Sequence, residues 1–252
     1  MDYQDVISVW QSRQIRTAAD IACEMNGNGV AFIYHSAKIE NDRITYHDTR
    51  EIFDHGGVTG YTGDVRSLFE IQNSVAAYYR MLDAFEKREP MSEALICEFQ
   101  GLLTQGTYDP LRYQKGERPG TYKQHDYVTG AKEVGALPED VPEELAELIA
   151  ELNDVEPRQA LTAAAYFHAK FENIHPFADG NGRTGRLLMN YLLLLWDHPP
   201  IIIHEEDRRA YYDALEKFDE DQELAPLTAF LGEQTVKTWR TRFEREQARQ
   251  HK

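Results

Sequence analysis

The residues of this sequence best suited to chemistry lie together in one stretch of twelve, positions 175–186. Gly180 and Gly182 permit backbone conformations that a β-carbon would forbid, so consecutive amides can converge on one point. A helix predicted to begin after Gly182 adds free N–H groups and the positive end of its dipole, and both favour phosphate. Arg183 and Arg186 lie three residues apart on its first turn, where both side chains reach the same anion. The stretch therefore predicts a phosphate-binding site.

Two further side chains of this stretch are suited to catalysis. Asp179 supplies a hard oxygen ligand for Mg²⁺, which needs few protein ligands when phosphates supply the others. His175, with an unperturbed pKa of about 6.5, takes a proton from a hydroxyl at neutral pH. Each feature alone is more often structural, and His168 and His175 belong to no cluster with zinc-ligand spacing. The coincidence of base, metal ligand, phosphate nest and two arginines favours a functional site.

The rest of the chain is predicted to be mainly helical, because apolar residues recur at helical spacing in most segments. The exception is 116–138, which is rich in Gly, Pro, Thr, Tyr and Val and predicts a short β-hairpin flap. The highly charged end, 240–252, predicts a fraying helix terminus. Helices are expected over 67–86, over 91–103, around 145–152, after Pro157 through His168, after Gly182 through a leucine run, and over 208–218 and 226–240.

Composition limits the possible partners. The 252 residues are 42% hydrophobic, enough for one large domain or a core with a small extension. A net charge of −16 repels nucleic acid and anionic membranes, so a bound anion needs a local cationic pocket. Two distant cysteines form no disulfide framework, the first residues do not read as a signal peptide, and the longest apolar run is about half a bilayer span. A cytoplasmic protein is expected.

At residues 175–186 the sequence resembles the Fic (Fido-domain) family, whose motif is His-x-Phe-x-Asp/Glu-Gly-Asn-Gly-Arg-x-x-Arg. The resemblance extends from about residue 65 to about residue 234. It implies an all-α bundle of the Fic type with a hairpin flap. The implied segments are an N-terminal helical region at 1–64, a catalytic core at 65–236 and a charged tail at 237–252. All eight specified motif positions are filled, by His175, Phe177, Asp179, Gly180, Asn181, Gly182, Arg183 and Arg186.

The resemblance implies a protein adenylyltransferase, which transfers AMP from ATP to a Ser, Thr or Tyr hydroxyl and releases pyrophosphate. His175 would be the base, Asp179 would hold Mg²⁺, and Arg186 would bind the γ-phosphate. The flap near 127–131 would hold the target, either another protein or a copy of the enzyme itself, as an added strand. A homo-oligomer stays open. The implied nucleotide-binding residues are Asp179, Gly180, Asn181, Gly182, Arg183, Arg186, Tyr211, Thr129 and Gly130.

A second signature lies upstream, at residues 36–41. With Ser36 and Glu40 it is similar to the family's inhibitory motif, Ser/Thr-x-x-x-Glu-Gly/Asn, which implies the self-inhibited class. A glutamate that projects from a helix onto Arg186 would take the partner of the γ-phosphate. Asp219 stands where several relatives carry Asn, which leaves the base specificity open. The alternatives are removal of AMP from a modified protein, transfer of another nucleotide or of phosphocholine, and a nucleotide-sensing interaction module without catalysis.

Overall fold

The computed structural model describes residues 1–127 and 135–250. These residues form twelve α-helices and no β-strand, which confirms the mainly helical prediction for this part of the chain. The helices are α1 (Tyr3–Ser12), α2 (Ala18–Glu24), α3 (Asn28–Glu40), α4 (Tyr46–His55), α5 (Val65–Lys87), α6 (Glu93–Thr104), α7 (Pro110–Gln114), α8 (Val141–Ala150), α9 (Ala160–Ile174), α10 (Asn181–Leu195), α11 (Arg208–Asp221) and α12 (Ala225–Gln250).

The helices predicted from periodicity are confirmed, with small shifts at their ends. α10 begins at Asn181 instead of after Gly182, because the chain already turns into the helix at Gly180. α12 continues to Gln250, so most of the tail predicted to fray is helical. No helix in the described part of the chain combines the length and the apolar character needed to cross a membrane.

The predicted β-hairpin flap at 116–138 is not confirmed where it can be checked. Residues 128–134, which include the centre of the flap, lie outside the described residues. Over 116–127 and 135–138 the backbone forms turns and irregular structure without a strand.

The backbone hydrogen bonds of this segment explain the difference. Gly116 has a φ of 100°, a conformation that interrupts an extended strand. The N–H of Lys123 donates to the carbonyl of Pro176 at 2.9 Å, and the N–H of Ala136 donates to the carbonyl of Ile174 at 3.0 Å. Both N–H groups therefore donate to carbonyls near the end of α9. In a hairpin they would instead donate to the opposite strand of the hairpin.

α9 and α10 pack along each other at the centre of the molecule. Thirteen of the fifteen residues of α10 are buried, as its nearly continuous apolar run requires. α9 contributes Phe167, Phe171 and Ile174 to the same core. The first and last helices also join it, because Trp10 and Trp239 contact each other with ring centroids 5.1 Å apart.

α3 is the N-terminal helix that bears on the functional site. It packs against α4, α5, α10 and the 3-10 turn Glu205–Asp207. Its buried apolar side chains are Val30, Phe32, Ile33, Ala37 and Ile39. This packing brings the C-terminal end of α3 next to the first turn of α10.

Candidate active site

The loop that joins α9 to α10 is fixed by the backbone at both of its ends. α9 ends at Ile174, and the capping residue His175 has left-handed torsion angles of φ 50° and ψ 61°, an uncommon conformation for a residue with a side chain. Gly180, the residue that caps the N-terminal end of α10, has a φ of 82°. A β-carbon at Gly180 would also collide with the side chain of Thr104. The glycine is therefore needed for both its torsion angles and its lack of a side chain.

Side chains brace this loop from inside. The Oδ1 of Asn181 accepts the N–H of Phe177 at 3.0 Å, and its Nδ2 donates to the Phe177 carbonyl at 2.7 Å. Gln100 donates to the carbonyl of Asp179 at 2.8 Å. Asn181 is 2% exposed. Both polar atoms of its side chain therefore hold the loop, and neither is left as an unpaired buried group, which would be costly.

The loop borders a cavity of about 870 Å³. Four arginines from three helices line it, and so do acidic residues of α11. In all, eight acidic residues line the cavity, so the four arginines supply cationic groups within a lining that is not cationic as a whole. The lining residues are Glu40, Arg66, Glu70, Arg112, Tyr127, Glu172, His175, Ala178, Asp179, Gly180, Asn181, Gly182, Arg183, Arg186, Tyr211, Tyr212, Asp213, Leu215, Glu216, Asp219 and Glu220.

Arg186 is buried and bound on several sides. Its Nη2 donates to Glu40 Oε1 at 2.8 Å and to the carbonyl of Ser36 at 2.8 Å. Its Nε donates to the Ser36 hydroxyl at 3.1 Å. Ser36 and Glu40, the two residues named in the upstream signature, therefore both bind Arg186.

Glu40 also lies directly against the backbone of Gly182. A β-carbon at Gly182 would collide with the carboxylate of Glu40, so this carboxylate lies directly against the first turn of α10. The first turn of a helix has N–H groups without partners inside the helix, and these attract anions. Glu40 thus lies where a phosphate group would bind Arg186 and the N-terminal end of α10.

Asp179 is shared by two arginines. Arg66 donates to its Oδ2 at 3.1 Å, and Nη2 of Arg183 lies 3.5 Å from its Oδ1. Arg66 also binds Glu70 at 2.9 Å, so carboxylates and guanidinium groups alternate along this side of the cavity. No group of three or more metal-ligating side chains occurs in the described residues.

The electrostatic surroundings of His175 keep its imidazole neutral. The pKa of His175 is lowered to about 4, mainly by burial and in addition by the positive charges of Lys123 and Arg112. A hydrogen bond with the backbone carbonyl of Glu172 acts in the opposite direction. At neutral pH one ring nitrogen of His175 is therefore free to accept a proton.

A second set of buried polar groups lies behind Arg186. The Tyr211 hydroxyl accepts from Arg186 Nη1 at 3.4 Å and pairs with His168 Nε2 at 2.7 Å. Burial lowers the pKa of His168 to about 3. Burial also raises the pKa of Glu172 to about 8, although the positive charge of Arg186 opposes this rise. Among the described residues the Glu172 Oε1 has no hydrogen-bond partner, so a protonated carboxyl is the form that fits.

The predicted site residues outside the loop have different outcomes. Thr129 and Gly130 lie outside the described residues. Tyr211 lines the cavity but is 1% exposed and braces Arg186, whereas its neighbour Tyr212 is 43% exposed. Asp219 lines the cavity and accepts a hydrogen bond from the side-chain amide of Asn173 at 2.9 Å.

Several cavity residues have little or no signal in the sequence. Arg66, Arg112, Glu172 and Tyr212 stand in ordinary helical patterns, and only the packing brings them to the loop. For Glu172 a weak signal exists, because it lies three residues before His175 on the same helix.

Comparison with known proteins agrees with this site. Residues 90–193 match the Fic/DOC family, and this range contains the whole loop. A protein adenylyltransferase Fic of Drosophila persimilis is 31% identical over 211 residues, which cover 82% of this chain and 39% of that protein. One of Aedes aegypti is 30% identical over 219 residues, covering 83% of this chain and 40% of that protein. The chain spans about two fifths of the length of the curated relatives it matches.

Solved structures share the fold. A Fic domain-containing signaling protein from Bacteroides thetaiotaomicron VPI-5482 matches with a TM-score of 0.78 and 24% identity over 94% of both chains. Fic-1 from C. elegans matches with a TM-score of 0.79 and 23% identity, over 98% of this chain and 72% of that chain. At such identities the likeness concerns the fold alone. Together with the family match and the loop, it shows that the chain belongs to the Fic/DOC family.

Proposed function

We propose that this protein is an adenylyltransferase that transfers AMP from ATP to a Ser, Thr or Tyr hydroxyl of a protein. The observation that carries the proposal is the loop geometry. It brings a neutral imidazole, a carboxylate and two arginines to one cavity, at His175, Asp179, Arg183 and Arg186. The names of the relatives support the same chemistry.

In the proposed step His175 takes the proton of the target hydroxyl on its free ring nitrogen. The hydroxyl oxygen forms a bond to the α-phosphorus, and the bond from that phosphorus to the bridging oxygen breaks. Pyrophosphate leaves with the bonding electron pair. Arg183 and Arg186 neutralise charge on the phosphates, and the N-terminal end of α10 adds its dipole. Most of the rate enhancement would come from positioning and charge neutralisation.

Mg²⁺ fits this cavity through one protein ligand. Asp179 offers a hard carboxylate oxygen, and phosphate oxygens and water would have to complete an octahedral shell. When bound, the ion supplies charge neutralisation between the phosphates. Arg66 and Arg183 compete for the same carboxylate, so metal binding requires Asp179 to loosen its contacts with these arginines.

We also propose that Glu40 inhibits the transfer. Its ion pair with Arg186, and its place against Gly182, occupy the position of a terminal phosphate. A nucleotide could bind productively only after this carboxylate moves away.

Removal of AMP from a modified protein is the second candidate. The side chain of Glu40 is 36% exposed while its carboxylate touches Arg186, so it reaches the cavity and could orient a water molecule there. Loss of Glu40 should accelerate transfer but abolish removal, which makes the two functions separable by experiment.

Labelled ATP tests the proposal. The protein is incubated with a host lysate and either α-³²P-ATP or γ-³²P-ATP, and the labelled proteins are identified by mass spectrometry. AMP transfer predicts label from the α-position only. His175→Ala should abolish labelling and leave ATP affinity nearly unchanged, and His47→Ala, at an exposed histidine of α4, should behave like wild type. Equal labelling by His175→Ala and wild type would refute the assignment of the base.

A further inference from the structure

Arg112 is an arginine of the cavity that lies outside the segment 175–186. It belongs to α7, is half-buried, and lines the same cavity as Arg183 and Arg186. The other arginines of the cavity each form an ion pair with a carboxylate, as Arg186 does with Glu40. Within residues 1–127 and 135–250, no carboxylate forms an ion pair with Arg112. Its charge is therefore available to an anion that enters the cavity.

Two contacts hold the guanidinium of Arg112 in place. Its Nη1 donates to the carbonyl of Ala178, and its Cζ lies 4.8 Å from the ring centroid of Tyr127. The Tyr127 hydroxyl donates to Glu117 at 2.9 Å. The side chain of Glu117 is 1% exposed, and it also accepts the N–H of Gln124 at 3.1 Å. A buried carboxylate thus fixes the aromatic ring on which Arg112 is stacked.

Arg112 lies at the His175 end of the loop. Ala178, which it contacts, is three residues after His175, whereas Arg186 is the sixth residue of α10, about one and a half turns into that helix. Burial lowers the pKa of His175, and the nearby positive charges that lower it further include Arg112. In a nucleotide whose terminal phosphate binds Arg186, the phosphate nearest to His175, the proposed general base, is the α-phosphate.

We propose that Arg112 is a catalytic residue of the AMP transfer, whose guanidinium binds a non-bridging oxygen of the α-phosphate. It stabilises the charge on this phosphate while the bond to the target oxygen forms and the bond to pyrophosphate breaks. A guanidinium carries five N–H donors in a planar fork, and the contact with Ala178 uses one of them. This inference rests on the proposed AMP transfer.

The test uses ATP in which sulfur replaces one non-bridging α-oxygen, as separate Rp and Sp diastereomers. Labelling is measured for three proteins that all carry Glu40→Gly. The first retains Arg112, and the other two carry Arg112→Gln or Arg112→Lys. We expect Arg112→Gln to lower kcat about 100-fold with little change in KM for ATP, as for loss of one transition-state donor. The ratio of the Rp and Sp rates should change about tenfold or more, the effect of one charge-assisted hydrogen bond. Arg112→Lys should restore part of both.

The control variant is Arg209→Gln, at an arginine of α11 whose side chain is 95% exposed, and it should change neither kcat nor the ratio. Melting temperatures of all variants verify that they fold. A reduced kcat with an unchanged Rp to Sp ratio overturns the inference, because a residue that only supports Ala178 would act on both diastereomers alike. If the Arg112-containing background transfers no α-label at all, the proposed AMP transfer fails and this inference fails with it.

Discussion

Glu40→Gly should accelerate labelling, and the structure gives the scale. Glu40 Oε1 and Arg186 Nη2 are 2.8 Å apart, and the two side chains are 36% and 4% exposed, respectively. A hydrogen bond between charged groups contributes about 1.5–3 kcal/mol, and solvent screening of the exposed carboxylate reduces this to about 1–2 kcal/mol. Release of that pair corresponds to an increase of about 5- to 30-fold in the fraction of protein able to bind nucleotide productively.

Glycine is a usable replacement at this position. Glu40 is the last residue of α3, so the loss of helix propensity there is small compared with an interior position. The assay compares initial rates of α-³²P-ATP incorporation for wild type, Glu40→Gly and Glu40→Gln over a range of ATP and Mg²⁺ concentrations. The glutamine variant removes the charge but keeps the volume and should show an intermediate rate. Glu223→Gly, in the exposed turn between α11 and α12, is the matched control.

The increase should depend on Arg186. In an Arg186→Ala background, Glu40→Gly should restore little activity, because the proposed phosphate partner is missing. If Glu40→Gly is no faster than wild type at any concentration, Glu40 is not an inhibitor and the competition argument is wrong. If the variant instead loses an activity that removes AMP from modified protein, the second candidate function is favoured.

Two further predictions concern the carboxylates of the cavity. Asp179→Ala should lose Mg²⁺-dependent ATP binding in titration calorimetry together with activity, and an unchanged titration would assign Asp179 another role. Glu172→Gln should raise the melting temperature above about pH 8 and change it little near pH 5. The pKa of Glu172 is raised to about 8 in the folded protein, so between its ordinary value and about 8 the folded state holds a proton that the unfolded state lacks, and stability falls as pH rises. Equal shifts at both pH values would contradict this.

Much of the fold could be predicted because helical periodicity is strong where helices pack against one another. The leucine run of α10 has to be buried on all sides, and it is the central helix. The segment 116–138 could not be predicted in the same way. Its Gly, Pro and β-branched residues indicate a departure from helix, but they do not say which partner takes the backbone hydrogen bonds. In the described parts that partner is the chain at Ile174 and Pro176.

The candidate site shows a similar division. The residues contiguous in sequence, 175–186, could be assigned to one site because a short loop keeps them together. Side chains that arrive from other helices, such as Arg112, depend on tertiary packing that local patterns do not encode. Tyr211 and Tyr212 are adjacent on α11, about 100° apart around the helix. Only packing decides that the first is buried and braces Arg186, whereas the second is exposed at the cavity.

The charges of the cavity are largely neutralised before any ligand arrives. Arg186 is paired with Glu40, and Arg66 and Arg183 share Asp179. A nucleotide with its metal ion would exchange these pairs instead of binding bare charges, because a phosphate can replace the Glu40 carboxylate and Mg²⁺ can replace the arginines at Asp179. Each exchange keeps a buried charge compensated, which avoids the cost of leaving it unpaired. Under the proposed inhibition, activation would require Glu40 to lose its advantage over phosphate, and a movement at the end of α3 would achieve this.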